Sequence, residues 1–122
     1  MDEIFAHPHT RDEAFDFSTS EILPREIDNI RKAVAARKLL IRQNWHGGKR
    51  AYERKIKEAD IYHCVTYWKA TSKDLPPWNP EQKGDRQAGI NFDGPRLQGK
   101  GRIRVKVGWT PLGYTVVTAH EL

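Results

Sequence analysis

The stretch GRIRVKVGWTPLGYTVVTAHEL, Gly101 to Leu122, sets Arg102, Arg104 and Lys106 in alternation with Ile103, Val105 and Val107. Alternation of this kind marks a strand with one buried face. A Pro-Leu-Gly turn and a second apolar run from Tyr114 make the stretch a hairpin, and its register decides what the open face carries. In a three-residue loop Pro111 takes the first turning position and Gly113 the left-handed one. Thr110 then pairs with Tyr114, Lys106 with Thr118 and Arg104 with His120, while Val105 meets Ala119 and Val107 meets Val117 on a core face. In a two-residue loop Thr110 pairs with Gly113, every partner moves by one, and Thr118 and His120 turn inward opposite Val105 and Ile103. That alternative would pair Arg102 with Glu121. The three-residue loop is favoured because it buries Val117 and Ala119 instead of a hydroxyl and an imidazole.

Upstream of the hairpin the pattern changes from strand to helix. Ser18 and Glu21 match the helix-entry pattern S-x-x-E, Pro24 suits a first turn, and Ile27, Ile30, Val34 and Ile41 follow helical spacing. A helix from about Leu23 to Gln43 is expected, ended by Gly47-Gly48. KRAYERKIKEAD predicts a second helix from about Lys49 to Glu58. The β-branched and aromatic run IYHCVTYWKAT predicts the first strand, SKDLPPWNPEQKGDR a long exposed loop, QAGINF a second strand, and DGP a turn. The order is helices first and sheet second, an α+β domain with N-terminal helices packed on one face of a small antiparallel sheet. Residues 1–17 read as an acidic, irregular arm with one helical turn around Asp12 to Phe15, and residues 18–122 as the single domain.

Bulk properties narrow the functional classes. The chain has 122 residues, enough for one domain with a modest core. Its 21 Lys and Arg against 16 Asp and Glu give a net charge of +5, which favours a polyanionic partner such as nucleic acid. The acidic residues crowd into the first thirty or so positions, so the body is more basic than the total suggests. Cys64 is the only cysteine, so an intrachain disulfide and a cysteine-rich zinc site are excluded. With no apolar run of membrane length, the expected setting is a reducing cytoplasm, the chain's own or that of a target cell into which it is delivered, with no membrane partner.

An open face bearing Arg102, Arg104, Lys106, Thr118 and His120 has the composition needed to bind a phosphodiester and cleave it without a metal. Cations stabilise the phosphorane oxygens and an imidazole moves a proton near neutral pH. The plain alternative is a solvated basic face ending in a histidine. His46 in NWHGGKR, with Lys49 and Arg50 after a glycine turn, is the candidate for the second proton carrier and its phosphate-binding companions, weighed against simple helix punctuation. Trp78 in LPPWNP is a candidate for stacking on a base, as Trp45 is in a binding role, or else a loop anchor. His63 reads as a structural histidine and Cys64 as an inert thiol, and His7 and His9 do not make a metal site.

RIRVKV followed by YTVVTAHEL, preceded by helices, resembles the barnase/EndoU/colicin/RelE superfamily of metal-independent ribonucleases, and is most similar to toxin and phage members ending on a V-V-T-A strand. The resemblance covers the last third of the chain in motif and the rest in element order. It implies an endoribonuclease toxin acting on RNA, with tRNA a possible substrate class. Arg102 or Arg104 would clamp the phosphate, Thr118 would contact base or phosphate, and His120 would act as acid or base. No cofactor is implied, and an acidic immunity or antitoxin protein would be the protein partner. The competing expectation is a non-catalytic basic module, of phage or mobile-element type, that binds nucleic acid or blocks a host enzyme.

Overall fold

The computed structural model describes residues 7–41, 56–76, 88–97 and 99–122. Five strands form one sheet: β1 (Leu40–Ile41), β2 (Lys69–Asp74), β3 (Gly89–Pro95), β4 (Arg102–Thr110) and β5 (Gly113–Glu121). Their order is β1-β5-β4-β3-β2. Every pairing is antiparallel except that of β1 with β5, which is parallel and only two residues long. The sheet is therefore mixed where an all-antiparallel one was expected. Among the described residues three helices, α1 (Arg11–Ala14), α2 (Pro24–Ala35) and α3 (Glu58–Tyr67), pack with one face of the sheet, as the α+β reading requires.

That face is apolar by strand alternation. Ile90 and Phe92 from β3, Ile103, Val105 and Val107 from β4, and Tyr114, Val116 and Ala119 from β5 form one buried cluster with Ile30, Ala33, Ile61, Cys64 and Val65 from the helices. Ala14 and Phe15 belong to the same cluster. Phe15 meets the Tyr114 ring edge-on at 5.7 Å, and the Tyr114 hydroxyl donates to the Ala14 carbonyl. The expected helical turn is thus present, and Ala14 and Phe15 at its end belong to the core, while residues 1–6 of the expected arm lie outside the described residues.

Two of the expected helix and strand boundaries move. α2 is entered at Leu23, whose amide donates to Glu26 Oε1 at 2.8 Å, so the carboxylate on the third helical residue caps it and the Ser18/Glu21 pair does not. It stops at Ala35, short of the expected Gln43. Arg37 takes a left-handed φ of 59°, and the Lys38 amide reaches back to the Ala33 carbonyl at 2.8 Å, which completes a Schellman cap. Ile41, read as part of the helical stripe, lies in β1.

The segment expected to be the first strand, from Ile61, is α3. Its buried residues Ile61, Cys64 and Val65 fall on one helical face, and Asp60 accepts from the Lys57 amide at 3.0 Å to cap the entry. The strand that follows, β2, takes in Ser72, Lys73 and Asp74 from the stretch read as loop. Similarly, Asp93, Gly94 and Pro95, read as a turn, continue β3.

The terminal hairpin combines the two candidate registers. Thr110 pairs with Gly113 across a two-residue turn, Trp109 with Tyr114 and Val107 with Val116. Beyond an irregularity between Lys106 and Val107, Lys106 pairs with Thr118, Val105 with Ala119 and Arg104 with His120. The extra residue lies inside β5 at Val117 and not in the turn. There it packs above Gly108, where a methyl built on the glycine would lie 3.3 Å from a Val117 methyl. A bulge thereby keeps both the core pairing near the turn and the polar face at the far end.

Candidate functional site

The face turned away from the described helices carries two rows of side chains running across neighbouring strands. Lys69, Asp93, Arg104 and His120 stand successively opposite one another, and so do Ser72, Asn91, Lys106 and Thr118. Alternation along β3, β4 and β5, and in β2 an irregularity between Ala70 and Ser72 that takes up one residue, put both rows on the same side. Arg102 lies one step further along β4, opposite Pro95.

Each central cation has a carboxylate. Arg104 donates from Nε to Asp93 Oδ1 at 2.8 Å and from a terminal nitrogen to Oδ2 at 2.9 Å, while Thr71 Oγ1 donates to the same Oδ2 at 3.0 Å. These bonds, that from Arg104 foremost, hold the Asp93 carboxyl below its ordinary pKa despite partial burial, and Asp93 in turn raises that of the guanidinium. Lys106 Nζ lies 2.8 Å from Asp74 Oδ2, which also accepts from Asn91 Nδ2 at 2.9 Å. Partial burial pushes the Asp74 carboxyl up, but the hydrogen bonds from Lys106 and Asn91 outweigh it and the net direction is down. Asn91 Nδ2 further donates to Ser72 Oγ at 2.8 Å.

The bidentate pair orients Arg104 without exhausting it. A guanidinium has five N–H donors. Two go to Asp93, and three remain for a further acceptor. At the end of β5, Glu121 accepts from Arg96, so its charge is taken up beside His120.

The structure therefore brings together Arg102, Arg104, Lys106, Thr118 and His120 on one face in the expected pairing. His46, Lys49, Arg50 and Trp78, together with Trp45, lie outside the described residues. His63 sits on α3 with its ring 5.1 Å from that of Tyr67. Among the described residues no cluster of metal-ligating side chains occurs. His7 stacks on Trp109 at 5.7 Å and meets Tyr114 edge-on, and burial lowers its pKa. Cys64 is buried with its thiol against the Phe92 carbonyl, and desolvation pushes its pKa to about 12, so no thiolate is available near neutrality.

Sequence reasoning missed the carboxylates and Asn91. Asp74 fell in a stretch read as loop and Asp93 in one read as turn. The signal was nonetheless present: Asn91 and Asp93 alternate with Phe92, which puts both on the side opposite a core residue.

Comparison with protein-family models, with curated proteins and with solved structures yields no match. Among the described residues no helix is long and apolar enough to cross a membrane.

Proposed function

We propose that this chain is a metal-independent endoribonuclease that cleaves RNA on the open face of its sheet. The observation that supports the reading is the row Asp93, Arg104, His120, a carboxylate, a guanidinium and an imidazole on three consecutive strands. Strands lie about 4.8 Å apart, so the backbones of Asp93 and His120 are separated by roughly 10 Å. A phosphodiester seated on Arg104 would have a proton acceptor on one side and a proton donor on the other.

The carboxylate of Asp93 takes the proton of the ribose 2′-hydroxyl, and that oxygen attacks phosphorus. Arg104 stabilises the negative oxygens of the phosphorane through its remaining donors, with Lys106 and Thr118 in the adjacent row. The bond to the 5′-oxygen breaks as that oxygen takes a proton from His120, leaving a 2′,3′-cyclic phosphate and a 5′-hydroxyl.

The second reading, a non-catalytic module binding nucleic acid or a host enzyme, draws on a specific feature of the same face. Arg104 and Lys106 are each neutralised by a carboxylate, as they would be in a purely structural array. Incubating total tRNA and ribosomes with the chain in EDTA, beside His120→Ala and Asp93→Asn, separates the two. Cleavage with cyclic-phosphate ends, reduced ~10²–10⁴-fold in each variant, is the expected result. Intact RNA with wild type and variants alike would leave the binding module as the better reading.

A further inference from the structure

The cations of β4 and of the turn that precedes it are not equivalent. Arg104 and Lys106 are paired with Asp93 and Asp74, whereas Arg102 and Lys100 make no ion pair among the described residues. Both are exposed. Beside β4, uncancelled positive charge among the described residues thus lies at the β3–β4 connection, next to the end of β5 that carries His120, and at the other end of the row Lys69 is likewise exposed without an ion pair.

That connection is firmly rooted and open at its tip. The Arg96 amide donates to the Gly101 carbonyl at 3.1 Å, the Leu97 amide to buried Asp60 at 2.8 Å, and the Leu122 amide to the Arg102 carbonyl at 2.9 Å. Gly99 and Gly101 flank Lys100 with φ of 90° and 103°, a region that favours glycine. Among the described residues a side chain built at either would meet nothing within 4 Å, which leaves the backbone open to close approach on both sides of Lys100.

We infer that the β3–β4 hairpin end, through Lys100 and Arg102, is the phosphate-gripping element for single-stranded RNA, which it leads toward the Arg104 row. The inference rests on the ribonuclease reading for the identity of its ligand. Arg104 and Lys106, already paired, contribute little to the electrostatic part of affinity, because a pair without net charge neutralises no phosphate and so releases none of the counterions condensed on the RNA. Lys100 and Arg102 gain a full charge pairing each. The turn is thus a binding finger beside a reaction face whose central cations are already paired.

The test uses a fluorescent 2′-O-methyl RNA oligonucleotide, which lacks the attacking hydroxyl and stays intact, with anisotropy read over a series of NaCl concentrations. Single strands give a slope of about 0.7 per neutralised phosphate. The double variant Lys100→Ala/Arg102→Ala is expected to lower the slope of log Kd against log salt by about 1.4. The charge-neutral double variant Asp74→Ala/Lys106→Ala is expected to leave that slope unchanged. An unchanged slope in the hairpin variant, a loss confined to the Asp74/Lys106 variant, or no binding by wild type would overturn the inference. Cleavage is scored separately: no turnover with an intact hairpin-dependent slope sinks the ribonuclease reading alone, and His120-dependent turnover with a hairpin-independent slope sinks the finger alone.

Discussion

Asp93 shows how one carboxylate couples the face of the sheet to the stability of the fold. It accepts from Arg104 at both oxygens and from Thr71, and its pKa is held below the ordinary value. An unfolded aspartate titrates near pH ~3.9, so the folded state binds its proton less readily than the unfolded state does. The stabilisation is therefore complete above the unfolded pKa and is lost as pH falls through the lower folded one. Asp93→Asn should be less stable than wild type at about pH 7, and the gap should close as the pH is lowered through the range below about 4. Urea midpoints measured at a series of pH values check this, and a gap that stays constant down the acid limb would mean that the ion pair is not its source. The cations of this face were legible from alternation alone. Their partners were not, because opposite charges on adjacent strands become visible only once the strand pairing is known.

At the level of the element, the departures from expectation have local causes. α3 carries β-branched and aromatic residues that favour a strand, but Ile61, Cys64 and Val65 have helical spacing and Asp60 caps the entry, so burial and capping override propensity. The terminal hairpin was legible in its pairs at the far end and misread at the turn, since a bulge inside a strand leaves little trace in the alternation of apolar residues. Its residue Val117 is nearly buried even though it lies off the core face, which is why burial by itself did not betray the shift. The end of α2 was misplaced because its cap is not glycine. Arg37 occupies the left-handed position of the Schellman motif, where a side chain costs about 1–2 kcal/mol. Arg37→Gly is accordingly expected to raise stability by about 1 kcal/mol after the added freedom of the unfolded glycine is offset, with Arg37→Ala giving little gain. Chemical denaturation of the three proteins decides it: a glycine variant no more stable than wild type would show that Arg37 compensates for its strained backbone by contacts of its own.

Across the whole molecule the acidic leader and the basic body are joined by buried polar contacts that composition could not reveal. Glu26 and Lys73 form an ion pair at 2.8 Å with both side chains fully buried. Each is also tied to the segment before α2, Glu26 accepting from the Asp16 amide at 2.9 Å and Lys73 donating to the Asp16 carbonyl at 2.8 Å. Such a pair is tolerable only while its remaining hydrogen bonds are met, because a buried charge left short of partners is strongly destabilising. Phe15, 1% exposed, fills the core beside Tyr114. Removing residues 1–17 would therefore empty the site of Phe15, at a cost of about 3–5 kcal/mol, and strip acceptor and donor from the buried pair as well. Against a total stability of ~5–15 kcal/mol for a domain, the shortened chain 18–122 is expected to be largely unfolded. Circular dichroism melts of the truncated chain beside the full one test this. A cooperative transition of 18–122 at the full chain's temperature would place the leader outside the core, and its absence would make the segment around Phe15 part of the single folded unit.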